Sequence, residues 1–94
     1  MAGKREETVA IRASVRGSVQ GVGFRDAATR QAGALGVRGW VRNEADGSVR
    51  AHLEGEPAAV DELVRWCRTG PPKAQVEDVH IAEARVEGAV GFTD

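Results

Sequence analysis

Apolar and polar side chains alternate over the first part of the chain. Residues 9–16 carry an apolar residue at every second position, and this period of two predicts a β-strand with one buried face. The same alternation predicts three further strands, at residues 37–43, 49–53 and about 76–86. Within the last of these the alternation slips in phase, which indicates a bulge or bend near Glu83. Residues 88–94 predict at most a short edge strand.

Two stretches follow helical spacing instead. Residues 24–35 repeat with the period of a helix, and Gly36 fits the position just past a helix end. The second stretch opens at Pro57, which favours a first helical turn, and it ends before Gly70. Its apolar residues lie at i, i+3, i+4 and i+7, and they are Val60, Leu63, Val64 and Cys67. Each stretch therefore predicts a helix that buries one stripe of side chains.

The order of these elements is β-α-β-β-α-β. Residues 44–47 contain Asp46-Gly47, a strong signal for a hairpin between the second and third strands. Right-handed crossovers turn this order into a ferredoxin-like α+β fold, an α/β sandwich with both helices on one face of an antiparallel sheet. We expect a single domain over residues 8–94 and a flexible tail at residues 1–7.

Composition narrows the classes of function. The 94 residues include 13 basic and 14 acidic side chains, so no bulk charge attracts nucleic acid or an anionic membrane. The single cysteine excludes an intrachain disulfide and suits a reducing compartment. Residues 1–7 lack the apolar region of a signal peptide, and no apolar run is long enough to span a bilayer. We expect a cytoplasmic monomer that has no nucleic-acid or membrane partner.

A glycine-rich stretch joins the first strand to the first helix. Gly17, Gly21 and Gly23 fall within seven residues, and glycines before a helix start let backbone N–H groups converge on an anion. Arg25 follows in the first turn, with a planar guanidinium that matches phosphate oxygens. A tight turn beside a solvated arginine explains the same pattern equally well. A Walker loop and a dinucleotide fingerprint are both excluded, since their Gly-Lys-Ser/Thr and third glycine are missing.

Two segments resemble the signatures of the acylphosphatase family. Residues 15–25 read V-R-G-S-V-Q-G-V-G-F-R and are similar to the first signature, G-x-V-Q-G-V-x-F-R. Residues 39–49, continuing to Gly55, are similar to the second. The resemblance covers about residues 9–81 and implies hydrolysis of the carboxyl–phosphate anhydride bond of acyl phosphates to a carboxylate and inorganic phosphate. The chain departs from the family pattern at residues 91–94, where members usually have a recognisable edge strand.

The resemblance also assigns roles to individual residues. Arg25 matches the phosphate-binding arginine of the family, and Asn43 matches the asparagine that orients the attacking water. The remaining phosphate-binding residues would act through their backbone N–H groups, and they are Gly17, Ser18, Val19, Gln20, Gly21, Val22, Gly23 and Phe24. A carboxylate leaving group needs no general acid, and the sequence has no cluster of His, Cys and acidic residues with metal-ligand spacing, so we expect neither a metal nor another cofactor.

Other interpretations remain open beside this one. The main alternative is a non-catalytic or subsidiary acylphosphatase-like domain that binds carbamoyl phosphate or another anion for a partner protein, as at the front of hydrogenase-maturation carbamoyltransferases. An RNA-binding sheet is disfavoured because only two Phe, two Trp and no Tyr are present. Cys67 is predicted to be a core residue. His52 and His80 are predicted to be exposed surface residues rather than a metal pair.

Overall fold

Seven regular elements follow one another along residues 7–94, the part of the chain that this computed structural model describes. They are β1 (Val9–Ser18), α1 (Phe24–Leu35), β2 (Arg38–Asn43), β3 (Val49–Gly55), α2 (Pro57–Cys67), β4 (Gln75–Glu83) and β5 (Phe92–Thr93). The predicted order is confirmed, and so is the short strand near the C-terminal end. The predicted flexible tail, residues 1–7, lies outside the described residues except for Glu7.

The five strands form one sheet in the order β4-β1-β3-β2-β5. Strands β1, β2, β3 and β4 pair antiparallel, as the ferredoxin-like fold requires. Strand β5 pairs parallel to β2, so the complete sheet is mixed. The predicted ferredoxin-like α+β fold is therefore confirmed, with a parallel edge pair added to the expected antiparallel sheet.

Both helices pack on one face of this sheet. Helix α1 begins and ends where the sequence predicts, because Gly36 adopts a left-handed φ of 76° that closes the last turn. The buried core lies between the helices and the sheet, and its members include Phe24, Ala28, Ala32, Val15, Val49, Leu53, Val60, Leu63 and Cys67. Leu63 is 0% exposed, so its truncation to alanine would cost about 2–5 kcal/mol. Within residues 7–94, neither helix has the length and apolar character that a membrane span requires.

The irregularity in β4 lies elsewhere than predicted. The prediction of a bulge near Glu83 is wrong, because β4 ends at Glu83 and the exposed Val86 lies beyond the strand. The register of β1 against β4 instead shifts between Arg16 and Gly17, which leaves Glu77 as the extra residue on β4. A Cβ atom on Gly17 would overlap the carbonyl oxygen of Gln75, so only glycine fits this close approach of two backbones.

Residues 84–91 cross the sheet face that the helices leave open, and we call them the crossing segment. They start at β4, where the Ala84 N–H donates to the Ala10 carbonyl, and they end beside β2, where the Gly39 N–H donates to the Gly91 carbonyl. On the way, the N–H groups of Glu87 and Ala89 donate to the carboxylate of Glu54 on β3. The crossing segment therefore covers one end of the open sheet face.

Candidate active site

The two halves of the predicted site emerge from the same end of the sheet. Val15 near the end of β1 pairs with Val49 on β3, and Val49 pairs with Asn43, the last residue of β2. Two strand spacings, about 10 Å, thus separate Val15 from Asn43. The chain leaves β1 into the glycine-rich loop at this end and leaves β2 into the hairpin turn there. The fold therefore brings the loop and Asn43 to the same end of the sheet.

The loop itself is shorter than the glycine pattern predicts. Gly17 and Ser18 still belong to β1 and pair with β4, so the irregular part covers residues 19–23. Val19 is 1% exposed and Phe24 is 2% exposed, so side chains at both ends of the loop lie in the core. Gly21 and Gly23 between them have φ values of 74° and 83°, which favour glycine. The loop backbone is therefore held in place by its apolar ends and turned by its glycines.

Helix α1 starts directly from this loop without a side-chain cap. Gly23 is the N-cap residue, and the first backbone bond of the helix runs from the Ala27 N–H to the Gly23 carbonyl at 3.0 Å. The N–H groups of the first turn consequently have no partner inside the helix, and they form the positive end of its dipole. Such an end is suited to bind an anion.

Arg25 lies in this first turn with an exposed side chain. The only acid in the same turn, Asp26, is paired with Arg30 at 2.8 Å and so is occupied by another cation. In residues 7–94 the Arg25 guanidinium takes part in no ion pair. The guanidinium is therefore available to a ligand that binds at the loop.

Asn43 is exposed and is followed at once by the predicted hairpin turn. The turn closes through the Glu44 N–H, which donates to the Ser48 carbonyl at 2.9 Å. Asp46 accepts bonds from the Ser48 hydroxyl and N–H at 2.6 and 2.9 Å, and these bonds lower the pKa of its carboxyl. The turn that follows Asn43 is thus rigidly bonded.

The side chain of Gln20 joins the loop to this turn. Its Nε2 group donates to the Glu44 carbonyl at 2.8 Å and to the Ser48 carbonyl at 2.9 Å. The sequence assigned Gln20 to the loop but gave no partner for its side chain, because backbone carbonyls carry no residue signature. One amide group therefore connects the two halves of the site directly.

A cleft of about 280 Å³ opens beside the start of the loop. Its lining residues are Arg16, Gly17, Asp46, Gly47 and Ser48, and none of these has an apolar side chain. Arg16 also contributes to the low pKa of the Asp46 carboxyl through its positive charge. The cleft itself is therefore lined by glycines and by polar and charged side chains, and neither Arg25 nor Asn43 lines it.

A second polar cluster lies on the open sheet face, and it contradicts one prediction. His52 is 0% exposed, so the prediction of a surface histidine is wrong for this residue. Its ring stacks on Trp40 at a centroid distance of 5.9 Å, and the crossing segment covers the same region. His80 is exposed as predicted. The alternation placed His52 correctly on the open face but could not show what covers that face.

The cluster brings together three groups that could ligate a metal: His52, Glu54 and Glu87. Arg12 Nε donates to His52 Nδ1 at 2.9 Å, so His52 Nε2 carries the hydrogen that binds Glu54 at 2.7 Å. Arg12 also pairs with Glu87 at 2.6 Å. Because these acceptors are occupied and a guanidinium sits among them, the cluster does not fit a cation.

The position of the cluster also separates it from the predicted site. Glu54 stands five residues along β3 from Val49, which corresponds to roughly 17 Å of strand. The cluster therefore fastens the crossing segment at the end of the sheet remote from the loop and Asn43.

Cys67 is buried in the core, as predicted. Burial raises the pKa of its thiol to about 12, although the positive charge of Arg68 acts in the opposite direction. A thiol in this state is not a nucleophile at neutral pH.

Comparison with known proteins gives matches over most of the chain. A protein-family model described as Acylphosphatase matches residues 11–93. An acylphosphatase from Rubrobacter xylanophilus is 55% identical over 87 residues, which cover 92% of this chain and 79% of that protein.

Solved structures show the same similarity. The structure of an acylphosphatase from Coxiella burnetii has a TM-score of 0.90 and 35% identity, over 99% of this chain and 98% of that one. Full-length HypF in its phosphate- and nucleotide-bound form has a TM-score of 0.89 and 25% identity, over 97% of this chain but 12% of HypF. The match to the family model and the identity to its members over most of their length show that this chain belongs to the acylphosphatase family of enzymes.

Proposed function

We propose that this chain hydrolyses acyl phosphates by in-line attack of a water that Asn43 holds, on a phosphoryl group bound by Arg25 and the backbone N–H groups of residues 17–24. The observation that carries the proposal is the shared sheet end, where β1 runs into the loop that leads to the uncapped start of α1 and where β2 ends at Asn43. Family membership supplies the reaction, and this geometry supports the division of roles.

The chemistry asks mainly for charge neutralisation and positioning. The phosphoryl oxygens of an acyl phosphate are negative and repel nucleophiles, and donors fixed around them lower the barrier. The carboxylate leaves as a stable anion, so no acid is needed. Asn43 would convert a random encounter with water into an oriented attack, and a phosphoryl oxygen would accept the proton of that water.

The proposed mechanism also bears on substrate choice. Because its assigned groups, Arg25, the loop N–H groups and Asn43, all act on the phosphoryl group or on the water, we propose that the enzyme discriminates weakly between acyl groups. We further propose that it acts as a cytoplasmic monomer, which agrees with its single buried cysteine.

The similarity to HypF supports the alternative of a subsidiary domain that binds an anion for a partner. That protein is much longer, and this chain corresponds to 12% of it. Hydrolysis of benzoyl phosphate by the purified chain separates the two functions, because a purely anion-binding domain would bind phosphate without turnover.

Two variants test the division of roles. Arg25→Ala should weaken phosphate binding and lower kcat together, because the guanidinium contacts the phosphoryl group before and during reaction. Asn43→Ala should leave the inhibition constant of phosphate nearly unchanged and lower kcat by about 10²–10³, the typical effect of one preorganised polar group. Asn43→Asp should be worse still, because a carboxylate repels the anionic substrate.

Matched controls are available on exposed helix positions. Arg65→Ala removes an exposed arginine on α2, and Gln31→Ala removes an exposed amide on α1. Both should keep normal kinetics. The assignment fails if Asn43→Ala retains a near-normal kcat, or if it loses phosphate affinity as severely as Arg25→Ala.

A further inference from the structure

The side-chain amide of Gln20 spans the gap between the phosphate-binding loop and the hairpin turn. Its two partners, the carbonyls of Glu44 and Ser48, are 24 and 28 residues away along the chain. Both partners are acceptors only, so the NH₂ end of the amide must face them and each of its hydrogens is used. The orientation of this side chain is therefore fixed by its surroundings.

The two carbonyls occupy the positions that define the turn. Glu44 directly follows Asn43, and its carbonyl also accepts from the Gly47 N–H at 3.1 Å. The Ser48 carbonyl accepts from the Glu44 N–H and so closes the same turn. A displacement of Gln20 relative to this turn would change the position of the residue next to Asn43. The amide thus links the loop directly to the turn that follows the end of β2.

From these two hydrogen bonds we infer that Gln20 is a positioning residue of the reaction. Its side chain holds Asn43 at the correct position relative to the phosphoryl group bound by the loop. The inference rests on the proposed function and deepens it. It concerns the side chain of Gln20, whereas the proposed function uses only the backbone N–H of this residue.

Other roles for the same side chain make different predictions. If the amide only stabilised the fold, its loss would lower the melting temperature and leave the kinetics of the folded protein unchanged. If it only shaped the phosphate-binding loop, its loss would weaken phosphate binding. If the amide positions Asn43, its loss will lower kcat while phosphate binding is kept, and this effect will appear only when Asn43 is present.

Gln20→Met tests these roles, because methionine keeps the length of the side chain but cannot donate. We expect kcat for benzoyl phosphate to fall about tenfold or more, since a displacement of about 1 Å can cost up to 10²-fold in rate. The KM and the inhibition constant of inorganic phosphate should stay within about twofold, the change of a binding site left intact. Gln31→Met on the exposed face of α1 is the matched control and should be kinetically normal.

The double variant Gln20→Met/Asn43→Ala gives the decisive measurement. If Gln20 acts through Asn43, the two losses will not multiply, and Gln20→Met will change kcat by less than about twofold in the Asn43→Ala background. Multiplying effects, an equal loss of phosphate affinity, or an unchanged kcat would each overturn the inference. Gln20→Ala provides a second variant if circular dichroism shows that Gln20→Met is not folded.

These outcomes stay distinct from those of the proposed function. A wild-type chain that does not hydrolyse benzoyl phosphate refutes that function, and the inference falls with it. An active wild type with a strong Asn43→Ala defect and a normal Gln20→Met refutes the inference alone.

Discussion

Glu54→Gln should destabilise the protein markedly at neutral pH. The carboxylate of Glu54 is 0% exposed, and it accepts bonds from His52 Nε2 at 2.7 Å, from the Ala89 N–H at 3.0 Å and from the Glu87 N–H. Glutamine has nearly the same shape but replaces one acceptor oxygen by an NH₂ group. At least one donor must then face another donor.

The size of the effect follows from these contacts. Leaving one buried donor unpaired costs about 1–3 kcal/mol, and each bond that loses its charged acceptor weakens by about 1 kcal/mol. A neutral amide is easier to bury than a carboxylate, which offsets part of the loss. The net destabilisation expected is thus about 2–4 kcal/mol, which for a domain of this size lowers Tm by roughly 8–32 °C.

The stabilisation by the Glu54 carboxylate should depend on pH, and the direction follows from its pKa. Burial alone would raise the pKa of Glu54, but the bonds from His52, Glu87 and Ala89 outweigh it and hold the pKa below its ordinary value of 4.5. A lowered carboxyl pKa stabilises the folded state above the ordinary value, and this stabilisation is lost as the pH falls through the folded-state pKa. The difference in Tm between wild type and Glu54→Gln should be full at pH 7 and should narrow below about pH 4.5.

Thermal unfolding followed by circular dichroism measures both features. Glu83→Gln, at an exposed position of β4, is the matched control and should melt within a few degrees of wild type. The reasoning is refuted if Glu54→Gln melts like this control at pH 7. It is also refuted if the difference in Tm stays constant down to about pH 3.

Three further outcomes are expected. Activity on an acyl phosphate should survive prolonged EDTA treatment, because in the proposed mechanism Arg25, the loop N–H groups and Asn43 supply the required charge and orientation; a loss restored by Mg²⁺ or Zn²⁺ would contradict this. Inorganic phosphate should compete with substrate, and sulfate should act similarly, whereas noncompetitive inhibition would place the anion site elsewhere. The Cys67 thiol should react with a disulfide reagent slowly in the folded protein and rapidly in urea, since burial raises its pKa to about 12; equally fast reaction in both states would show that it is accessible.

The regular elements could be predicted from local patterns where both boundaries had a chemical signal. Helix α1 is such a case, because Gly23 and Gly36 both adopt left-handed φ values at its ends. Strand β4 is the opposite case. No residue type marks its end at Glu83, so the alternation could not distinguish the strand from the exposed residues beyond it.

The buried state of His52 could not be predicted for a different reason. Its cover consists of residues that are distant in sequence, and Arg12 and Glu87, which pair across it, are 75 positions apart. A weak signal was nevertheless present, since Arg12 and His52 occupy facing positions on β1 and β3. The cluster is buried only because the crossing segment covers it, and the sequence does not show the path of that segment.

For the candidate site, sequence signatures indicated Arg25 and Asn43, and the strand register then placed their elements at one sheet end. The contacts of the Gln20 side chain were not visible in the signatures. Its partners are backbone carbonyls, and a carbonyl position depends on where the chain turns rather than on which residue occupies it.

The crossing segment has a consequence for the order in which the protein can assemble during synthesis. The residues of β1, β2, β3 and both helices have all left the ribosome once residue 67 has emerged. The N–H groups that donate to the carboxylate of Glu54 lie 33 and 35 residues after it in the chain, so they emerge later. Until then, His52 and Glu54 face water on an open sheet. The buried cluster of His52 and Glu54 is therefore completed only when the crossing segment is in place, and this last segment converts a hydrated surface into interior.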